Sequence, residues 1–161
     1  MIKNQVTAKD VMSSPVRVLD RYLSLAEAVR VLSDEGISAA PVVGSRGEPV
    51  GVVSLADIAV YLAGLERSLG RLGGFYFRSG LRWDPTSESY SNLDTDEDVL
   101  QTTRVDEVMT EEIYSVPPAA SMAEVAREMI ARGVHRVLVL DEGHLEGLVS
   151  TLDVMRIVAE D

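Results

Sequence analysis

The spacing of apolar residues along the chain changes period in the same order at two places. Over residues 24–36, SLAEAVRVLSDEG, apolar side chains recur every three or four positions, which predicts an amphipathic helix. Two short β-rich runs joined by turn residues follow, a second helical pattern closes the unit, and a further β-rich run precedes it. The same order recurs from residue 104, so the pattern predicts two copies of a β-α-β-β-α unit.

The predicted elements have similar lengths in the two copies. The predicted strands are residues 16–18, 40–43, 50–53, 113–116, 137–140 and 145–149. The closing helices are predicted from Leu55 to about residue 65 and from Thr151 to about residue 159. The first helix of each copy begins with a serine and a glutamate at the spacing of a capping box. These pairs are Ser24 with Glu27 and Ser121 with Glu124.

The two copies also match residue by residue. Val11 aligns with Val108 and Gly36 with Gly133 at an offset of 97 positions (108 − 11), and each glycine lies where the first helix should end. GVVSLADI from residue 51 aligns with GLVSTLDV from residue 147 at an offset of 96 (147 − 51). One such unit is too small to bury its own apolar face. We therefore expect a mixed α/β (α+β) fold in which two tandem units pack sheet to sheet with pseudo-two-fold symmetry and helices outside.

Composition and charge exclude several classes of function. The 161 residues, 46% of them hydrophobic, suffice for one globular domain or two very small ones. The net charge of −11 opposes binding to the phosphate backbone of nucleic acids. Cysteine is absent and only His135 and His144 carry imidazole, so disulfides, thiol catalysis and a metal site are not expected. No apolar run is long enough to span a membrane, and we expect a soluble, cytoplasmic protein.

Short motifs recur in register with the duplication. DVM at residues 10–12 and EVM at residues 107–109 lead into the two copies, and each copy closes with G-h-V-S-x-x-D-h, where h is apolar. Together these motifs resemble the CBS domain pair, also called a Bateman module. The resemblance covers CBS repeats at residues 7–66 and 104–161 and leaves a connecting segment with an aromatic cluster at residues 67–103.

The resemblance implies a ligand and the residues that bind it. CBS pairs bind AMP, ADP, ATP or S-adenosylmethionine in the cleft between the repeats. By resemblance, Asp57 and Asp153 hold the ribose hydroxyls, and Ser54, Ser150 and Thr151 lie beside them. The purine would contact residues around the second strand of each copy. These are Ile37, Ala39 and Pro41 in the first copy and Val134, Arg136 and Leu138 in the second.

The chemistry of the side chains is compatible with that role. A carboxylate accepts two hydrogen bonds, so one aspartate can hold both cis hydroxyls of a ribose, and the positive end of a helix dipole stabilises its charge. The same Ser-x-x-Asp spacing is typical of a helix N-cap, which needs no ligand. The two roles can coexist. Arg17 and Arg104, near the repeat starts, are weaker candidates for binding phosphate and are expected to be solvated.

A His-Arg pair distinguishes the second copy. His135 and Arg136 stand where the first copy has Ser38 and Ala39. The resemblance implies that such a pair meets phosphate, and a guanidinium can bind phosphate through two hydrogen bonds. Alternatively, Arg136 lies exposed at a strand edge and pairs with an acidic neighbour. If binding at one site depends on ligand charge, we expect that site to involve the second copy.

The connecting segment contains both phenylalanines and the only tryptophan of the chain. Its cluster consists of Phe75, Tyr76, Phe77, Trp83 and Tyr90. A flexible linker needs no large apolar rings, so the segment should pack on its own domain or against a second subunit or regulated enzyme. CBS pairs commonly form homodimers through their helices. The outer faces of the closing helices fit such a dimer, unless they are core: Ile58, Tyr61, Leu62, Val154, Ile157 and Val158.

The sequence favours one function over three others. The favoured hypothesis is a non-catalytic regulatory module that binds an adenosyl ligand and signals to a regulated enzyme or transporter. The alternative is a constitutive dimerisation scaffold with degenerate ligand sites. An enzyme is not favoured, because no Ser-His-Asp spacing recurs and no Walker or GxGxxG loop is present. A binder of RNA or single-stranded DNA would act against the negative charge.

Overall fold

The computed structural model describes residues 6–62 and 99–159 with their side chains, and the backbone of residues 81–84, 89–92 and 96–98. The helices are α1 (Ala8–Val11), α2 (Leu25–Asp34), α3 (Leu55–Leu62), α4 (Asp96–Thr102), α5 (Met122–Arg132) and α6 (Thr151–Ala159), with a 3₁₀ turn at Val105–Glu107. The strands are β1 (Leu19–Asp20), β2 (Ala39–Val43), β3 (Pro49–Ser54), β4 (Leu81–Asp84), β5 (Ser89–Asn92), β6 (Ser115–Val116), β7 (Arg136–Asp141) and β8 (His144–Ser150).

Each copy has the predicted order, β1-α2-β2-β3-α3 in the first and β6-α5-β7-β8-α6 in the second. The position of the first strand was predicted wrongly: it is Leu19–Asp20 and not residues 16–18. Leu19 is the fully buried residue there, whereas Val16 and Val18 keep part of their surface exposed, so the strand forms where the side chain enters the core. The equivalent strand β6 is shorter than the predicted 113–116.

The two copies form separate three-stranded sheets, with strand orders β1-β2-β3 and β6-β7-β8. In the second sheet, β6 is parallel to β7 and β7 is antiparallel to β8, which pairs Val137 with Val149. The β7–β8 hairpin closes through Glu142 and Gly143, whose φ angles of 47° and 84° fit a tight turn of type I′. This turn chemistry explains why DEGH joins two strands with only two residues between them.

The helix caps follow the predicted boxes. Ser24 and Ser121 each donate from the backbone N–H and the hydroxyl to a glutamate three residues later, and the glutamate N–H donates back to the serine Oγ. Helix α5 ends at Gly133, which has the left-handed conformation (φ 65°) that favours glycine. Both first helices therefore begin as the sequence predicted.

The connecting segment contains a two-stranded antiparallel sheet and helix α4. In that sheet the Cα of Trp83 lies opposite the Cα of Tyr90, so two members of the aromatic cluster occupy paired positions. The other three, Phe75, Tyr76 and Phe77, lie outside the described residues. The packing role of the cluster stays a prediction.

Contacts divide the chain into two compact units that do not coincide with the sequence repeats. Among the residues with described side chains, the second-copy unit consists of residues 6–18, 43–51 and 111–159, and the first-copy unit of residues 19–42, 52–62 and 99–110. The segment that leads into each copy thus belongs to the unit of the other copy.

In the second-copy unit, the leading segment of the first copy completes the core. Ala8 has no exposed surface and belongs to the core cluster with Val125, Val137 and other residues of the second copy. Its N–H donates to the Ala120 carbonyl at 2.8 Å. Further along, Ser13 forms an isolated β-bridge with Leu148 of β8.

The first-copy unit shows the reciprocal arrangement. Val105 has no exposed surface, and its N–H donates to the Leu23 carbonyl at 2.8 Å. The Thr103 carbonyl accepts from the first residue of α2 at 2.9 Å, and Thr110 bridges Val52 of β3. Each unit is therefore built from both copies of the duplicated sequence.

A substitution at Gly147 tests whether the leading segment packs on the second-copy unit. A Cβ added at this glycine would collide with the Met12 side chain, including the Cβ of Met12. We expect Gly147→Ala to lower the free energy of unfolding by about 1–3 kcal/mol, as overpacking does. The double variant Met12→Ala/Gly147→Ala should lose less than the sum of the two single changes, measured by urea denaturation. Strict additivity of the two changes would contradict the contact.

The capping boxes predict a pH dependence of stability. Hydrogen bonds from Ser24, of which the backbone N–H has the larger effect and the hydroxyl the smaller, lower the pKa of Glu27 below its ordinary 4.5. Hydrogen bonds from Ser121, with the hydroxyl first and the N–H second, lower the pKa of Glu124 in the same way. A lowered folded-state pKa contributes stability above pH 4.5 that is lost as the pH falls through that lowered pKa.

We therefore expect Glu124→Gln to lower the melting temperature at pH 7, and we expect the difference from wild type to shrink as the pH falls below roughly 4.5. Circular dichroism melts from neutral to acidic pH measure this. Glu111→Gln, at an exposed glutamate, is the control. A difference that stays constant over the whole range would contradict the stabilising role of the charged carboxylate.

Candidate functional site

Ser54 and Asp57 form a closed hydrogen-bonded ring where β3 meets α3. The Ser54 N–H and hydroxyl both donate to Asp57 Oδ2, at 2.8 and 2.6 Å, and the Asp57 N–H donates to Ser54 Oγ at 3.1 Å. Both residues are partly buried. Oδ2 is therefore held by the cap, while Oδ1 accepts no hydrogen bond from residues 6–62 or 99–159.

The same ring forms at the junction of β8 and α6. The Ser150 N–H and hydroxyl donate to Asp153 Oδ2 at 2.8 and 2.6 Å, and the Asp153 N–H donates to Ser150 Oγ at 3.3 Å. Here the other carboxylate oxygen is engaged, because Arg156 Nη1 donates to Asp153 Oδ1 at 3.0 Å. The two junctions share the hydrogen bonds between serine and aspartate. They differ at Oδ1 of the aspartate, which Arg156 binds only at the second junction.

The capping interpretation of the Ser-x-x-Asp pairs is thus confirmed, since serine and aspartate satisfy each other at both helix starts. Each aspartate lies in the first turn of its helix, where the helix dipole stabilises a negative charge. Only one oxygen of each carboxylate is used in the ring. A ligand role for the other oxygen stays a prediction that the cap does not exclude.

Backbone hydrogen bonds tie the start of the second strand to the start of the closing helix. The Leu55 N–H donates to the Ser38 carbonyl at 2.9 Å, and the Thr151 N–H donates to the His135 carbonyl at 2.9 Å. The Thr151 hydroxyl also donates to the His135 carbonyl, at 3.1 Å. These bonds bring the predicted strand residues and the Ser-Asp rings to the same end of each sheet.

His135 and Arg136 lie next to the second ring. Both residues are exposed, and the Cα of Arg136 is the register partner of Ser150 across β7 and β8. The first copy has Ser38 and Ala39 in their place. The second junction therefore carries a guanidinium and an imidazole that the first junction lacks.

Apart from the exposed Arg136, the predicted purine-contacting residues fall into two groups. Pro41 and Leu138 are buried, and each lies between two other buried residues of its strand, β2 or β7. Ile37, Ala39 and Val134 are partly exposed and present apolar surface at the strand starts. A flat ring at either junction would contact the second group more readily than the first.

Arg156 is a residue that the sequence prediction missed. Its position three residues after Asp153 on α6 is a spacing at which helical side chains meet, and this was a readable signal. The equivalent residue of the first copy is Val60 (156 − 96), which is exposed and uncharged. Aligning the two copies thus shows a difference in charge, Arg156 against Val60, at a position just outside the shared motif.

Arg104 is exposed, as expected, and it also has a structural role. Its Nε donates to Asp106 Oδ1 at 3.1 Å, and its guanidinium lies 5.3 Å from the centre of the Tyr22 ring. Arg21 donates from Nε to the other oxygen of Asp106 at 3.3 Å and also lies over Tyr22. This cluster holds the leading segment of the second copy on the first-copy unit. Arg17 is exposed, as expected.

Three of the six residues named for the outer faces of the closing helices belong to or pack against a core, as the alternative interpretation expected, whereas Val158 is exposed. Ile58 is buried, and Val154 and Ile157 pack against the core of the second-copy unit. An amphipathic pattern alone does not say which apolar residues face inward, and on α6 the predicted stripe combined two inward residues, Val154 and Ile157, with the exposed Val158. The apolar residues that α6 exposes are Leu152 (60%), Met155 (56%) and Val158 (47%).

A cavity of about 670 Å³ in the second-copy unit lies apart from the Ser-Asp rings. It is lined by the two hairpin turns, at residues 46–48 and 142–146, and by residues 14–16. The predicted ligand residues do not line it. Glu48, on its wall, accepts a hydrogen bond from the Arg46 N–H at 2.9 Å.

Two further properties concern the described residues. Within residues 6–62 and 99–159, no group of three or more His, Asp or Glu side chains is arranged to hold a metal ion. Among the helices in the described part of the chain, none is both long enough and apolar enough to cross a membrane.

The chain matches curated proteins of quite different lengths. It is 26% identical over 155 residues to the uncharacterised protein MJ1426 of Methanocaldococcus jannaschii, covering 91% of this chain and 88% of that protein. It is 25% identical over 157 residues to the A-adding tRNA nucleotidyltransferase of Aquifex aeolicus, covering 98% of this chain but 15% of the enzyme. The chain thus spans a small part of the enzyme's length.

Solved structures share the fold at low sequence identity. A CBS domain-containing protein from Bacillus anthracis superposes with a TM-score of 0.73 at 21% identity, covering 98% of this chain and 96% of that one. The CBS domain pair of protein MJ0100, in complex with 5′-methylthioadenosine and S-adenosyl-L-methionine, has a TM-score of 0.68 at 20% identity, covering 96% and 97% of the two chains. The predicted tandem α/β fold is confirmed.

The family model described as CBS domain matches two stretches, residues 8–64 and 105–160. These stretches coincide with the duplicated β-α-β-β-α pattern and contain both Ser-x-x-Asp rings. Since they make up well over half of the sequence, the chain belongs to the CBS domain family.

Proposed function

We propose that this chain is a non-catalytic regulatory module that binds AMP, ADP, ATP or S-adenosylmethionine at its strand–helix junctions. The candidate junctions are the Ser54–Asp57 ring and the Ser150–Asp153 ring. Occupancy would be passed to a partner protein in the cytoplasm, a regulated enzyme or a transporter.

The observation that carries the proposal is the state of the Asp57 carboxylate. Oδ2 is fixed by two donors from Ser54, so the orientation of the whole carboxylate is set before any ligand arrives. Oδ1 has two lone pairs with which to accept ribose hydroxyls. An acceptor that is charged and already oriented binds more strongly than one that must be ordered on binding.

The surroundings of the ring suit the rest of an adenosyl ligand. Ile37 and Ala39 supply partly exposed apolar surface for the purine at the first junction, and Val134 does so at the second. The positive end of the helix dipole at the start of α3 and of α6 favours a nearby phosphate. At the second junction, His135 and Arg136 add donors for such a group.

One relative supports the ligand class. The CBS domain pair of MJ0100 was solved with 5′-methylthioadenosine and S-adenosyl-L-methionine, two ligands with a common adenosyl part. The match to the tRNA nucleotidyltransferase covers 15% of that enzyme and does not carry its activity to this chain. The conserved fold together with the open carboxylate oxygen supports binding and not catalysis.

The exchanged leading segment offers a way for a bound ligand to be sensed. Val52 and Thr110 exchange two backbone hydrogen bonds of 2.9 Å, two residues before the Ser54 ring. From Thr110 the chain continues directly into the second copy. A ligand that shifts the end of β3 would therefore also shift the segment that leads from Thr110 to β6. Ligand binding would in this way change the structure beyond the binding site.

Calorimetric titration with AMP, ADP, ATP and S-adenosylmethionine tests the ligand. We expect saturable binding to wild type, with affinity reduced by about tenfold or more in Asp57→Ala, Asp153→Ala or both, because a charge-assisted acceptor is lost. Glu27→Ala and Glu124→Ala are matched controls, since they remove carboxylates from equivalent serine rings at the other helices. Absence of binding at millimolar concentrations would refute the proposal.

A second candidate function is a constitutive homodimerisation scaffold, and one observation favours it. Leu152, Met155 and Val158 recur at three-residue intervals along α6 and expose about half of their surface. An exposed apolar stripe of this kind is typical of a helix that packs against another subunit. We propose that a second copy of the chain covers it, in a module that dimerises with or without ligand.

Light scattering coupled to size-exclusion chromatography tests the dimer. We expect wild type to elute as a dimer and Met155→Glu as a monomer, because the stripe would then bury an unpaired charge. Ile130→Glu is the control, at a single exposed apolar residue on α5. A monomeric wild type, or a dimer unaffected by Met155→Glu, would show that the stripe is not the contact.

A further inference from the structure

The two candidate junctions differ most in the charge that surrounds their aspartates. Arg156 Nη1 lies 3.0 Å from Asp153 Oδ1, with 65% of the arginine side chain exposed against 12% of the aspartate. In the first copy the equivalent position is Val60, and Asp57 Oδ1 has no partner among residues 6–62 and 99–159. The duplicated ring is therefore open at one junction and occupied by a guanidinium at the other.

This guanidinium is poised to exchange partners. An ion pair with one exposed member contributes little stability and is screened by salt, so its rearrangement is easy. The Ser150 ring holds Oδ2 regardless of Arg156. A ribose hydroxyl that approaches Oδ1 therefore competes only with Arg156, and the carboxylate stays in place while the arginine moves.

The displaced arginine stays close to whatever displaced it. Both residues of the pair lie on α6, Asp153 in its first turn and Arg156 three positions later, and the Cα of Arg136 lies opposite Ser150 across β7 and β8. Two arginines thus accompany one aspartate at the second junction, whereas Val60 and Ala39 accompany Asp57 at the first. A neutral ligand that takes Asp153 Oδ1 would leave the Arg156 guanidinium without its carboxylate, whereas a phosphate would accept hydrogen bonds from it.

We infer that Arg156 makes the second junction selective for adenosyl ligands that carry phosphate, while the first junction does not discriminate by ligand charge. The inference rests on the proposed adenosyl binding and adds a specificity-determining residue to it. In the unliganded chain Arg156 closes the ribose acceptor. When a nucleotide binds, Asp153 Oδ1 accepts hydrogen bonds from the ribose hydroxyls and Arg156 donates hydrogen bonds to the phosphate.

A charge series at constant adenosyl group tests this inference. Adenosine, AMP and ATP are titrated into Asp57→Ala, which leaves the second junction as the intact one, with and without Arg156→Val or Arg156→Lys. We expect Arg156→Val to reduce the ratio of ATP affinity to adenosine affinity by about tenfold, the scale of one charge-assisted contact. Arg156→Lys should retain most of the ratio, because the charge is kept. Adenosine affinity itself should stay equal or rise once the carboxylate oxygen is free.

The reciprocal change is made at the first junction. In Asp153→Ala, Val60→Arg places the same cation one turn after Asp57 and should raise the ratio of ATP affinity to adenosine affinity. Val60 and Arg156 are both exposed, so these substitutions leave the cores intact. Melting temperatures of all variants check this directly.

The outcomes separate the inference from the function on which it rests. Binding of all three ligands with a ratio that Arg156→Val leaves unchanged overturns the selectivity of Arg156 and leaves adenosyl binding standing. Equal losses of adenosine and ATP affinity overturn it as well, since they indicate a general structural role. If wild type binds none of the three ligands, the proposed function fails and the inference fails with it.

Discussion

The burial of Ala8 and Val105, neither of which keeps any exposed surface, is the packing on which the rest of the structure depends. Each belongs to the segment leading into one copy, and each lies in the core of the unit that contains the other copy's helices and sheet. A β-α-β-β-α unit has too little apolar surface to form a stable core alone. The exchange supplies the missing residues to both units at once. It also brings residues 13 and 110 alongside β8 and β3, next to the two Ser-Asp rings.

The Ser-Asp ring shows how a structural device can leave a functional group available. A helix start needs an acceptor for its first N–H groups, and serine meets that need while a carboxylate satisfies serine in turn. One carboxylate oxygen suffices for this purpose, because both donors of Ser54 converge on Asp57 Oδ2. The other oxygen is then rigidly presented at no additional cost in ordering. The cap and the proposed binding role are thus two uses of one geometry.

The helices, strands and turns could be predicted from the sequence more completely than the packing around them. The caps at Ser24 and Ser121 and the turn at Gly143 were predictable because short-range chemistry specifies them. The first strand was misplaced, since V-R-V alternates as well as any strand and only burial of Leu19 identifies the paired residues. Val154 and Ile157 of α6 were taken for outer residues for a similar reason. Periodicity reports that a helix has an apolar face, whereas tertiary packing decides which residues of that face meet the core.

The candidate site likewise contains residues that the sequence predicts and residues that it does not. Sequence spacing identified both Ser-Asp rings, because the three-residue separation fixes their hydrogen bonds. It did not identify Arg156, although the comparison of the copies at 156 and 60 contains the signal, since the motif that defines the repeat ends before this position. The roles of Arg104 and Tyr22 depend on contacts between segments far apart in the chain, which no local pattern encodes.

The exchanged segments have a consequence for how the protein can be made. Ser13 pairs with Leu148, 135 residues later (148 − 13), so this contact cannot form until β8 of the second copy has been synthesised. The first-copy unit, by contrast, has all its described residues once synthesis passes residue 110. Assembly during translation would therefore begin with the first-copy unit, and the segment that leads into the first copy would dock only after β8 has been made. Contacts this distant in sequence slow folding, and a chain cut between the copies would leave two fragments that must find each other again.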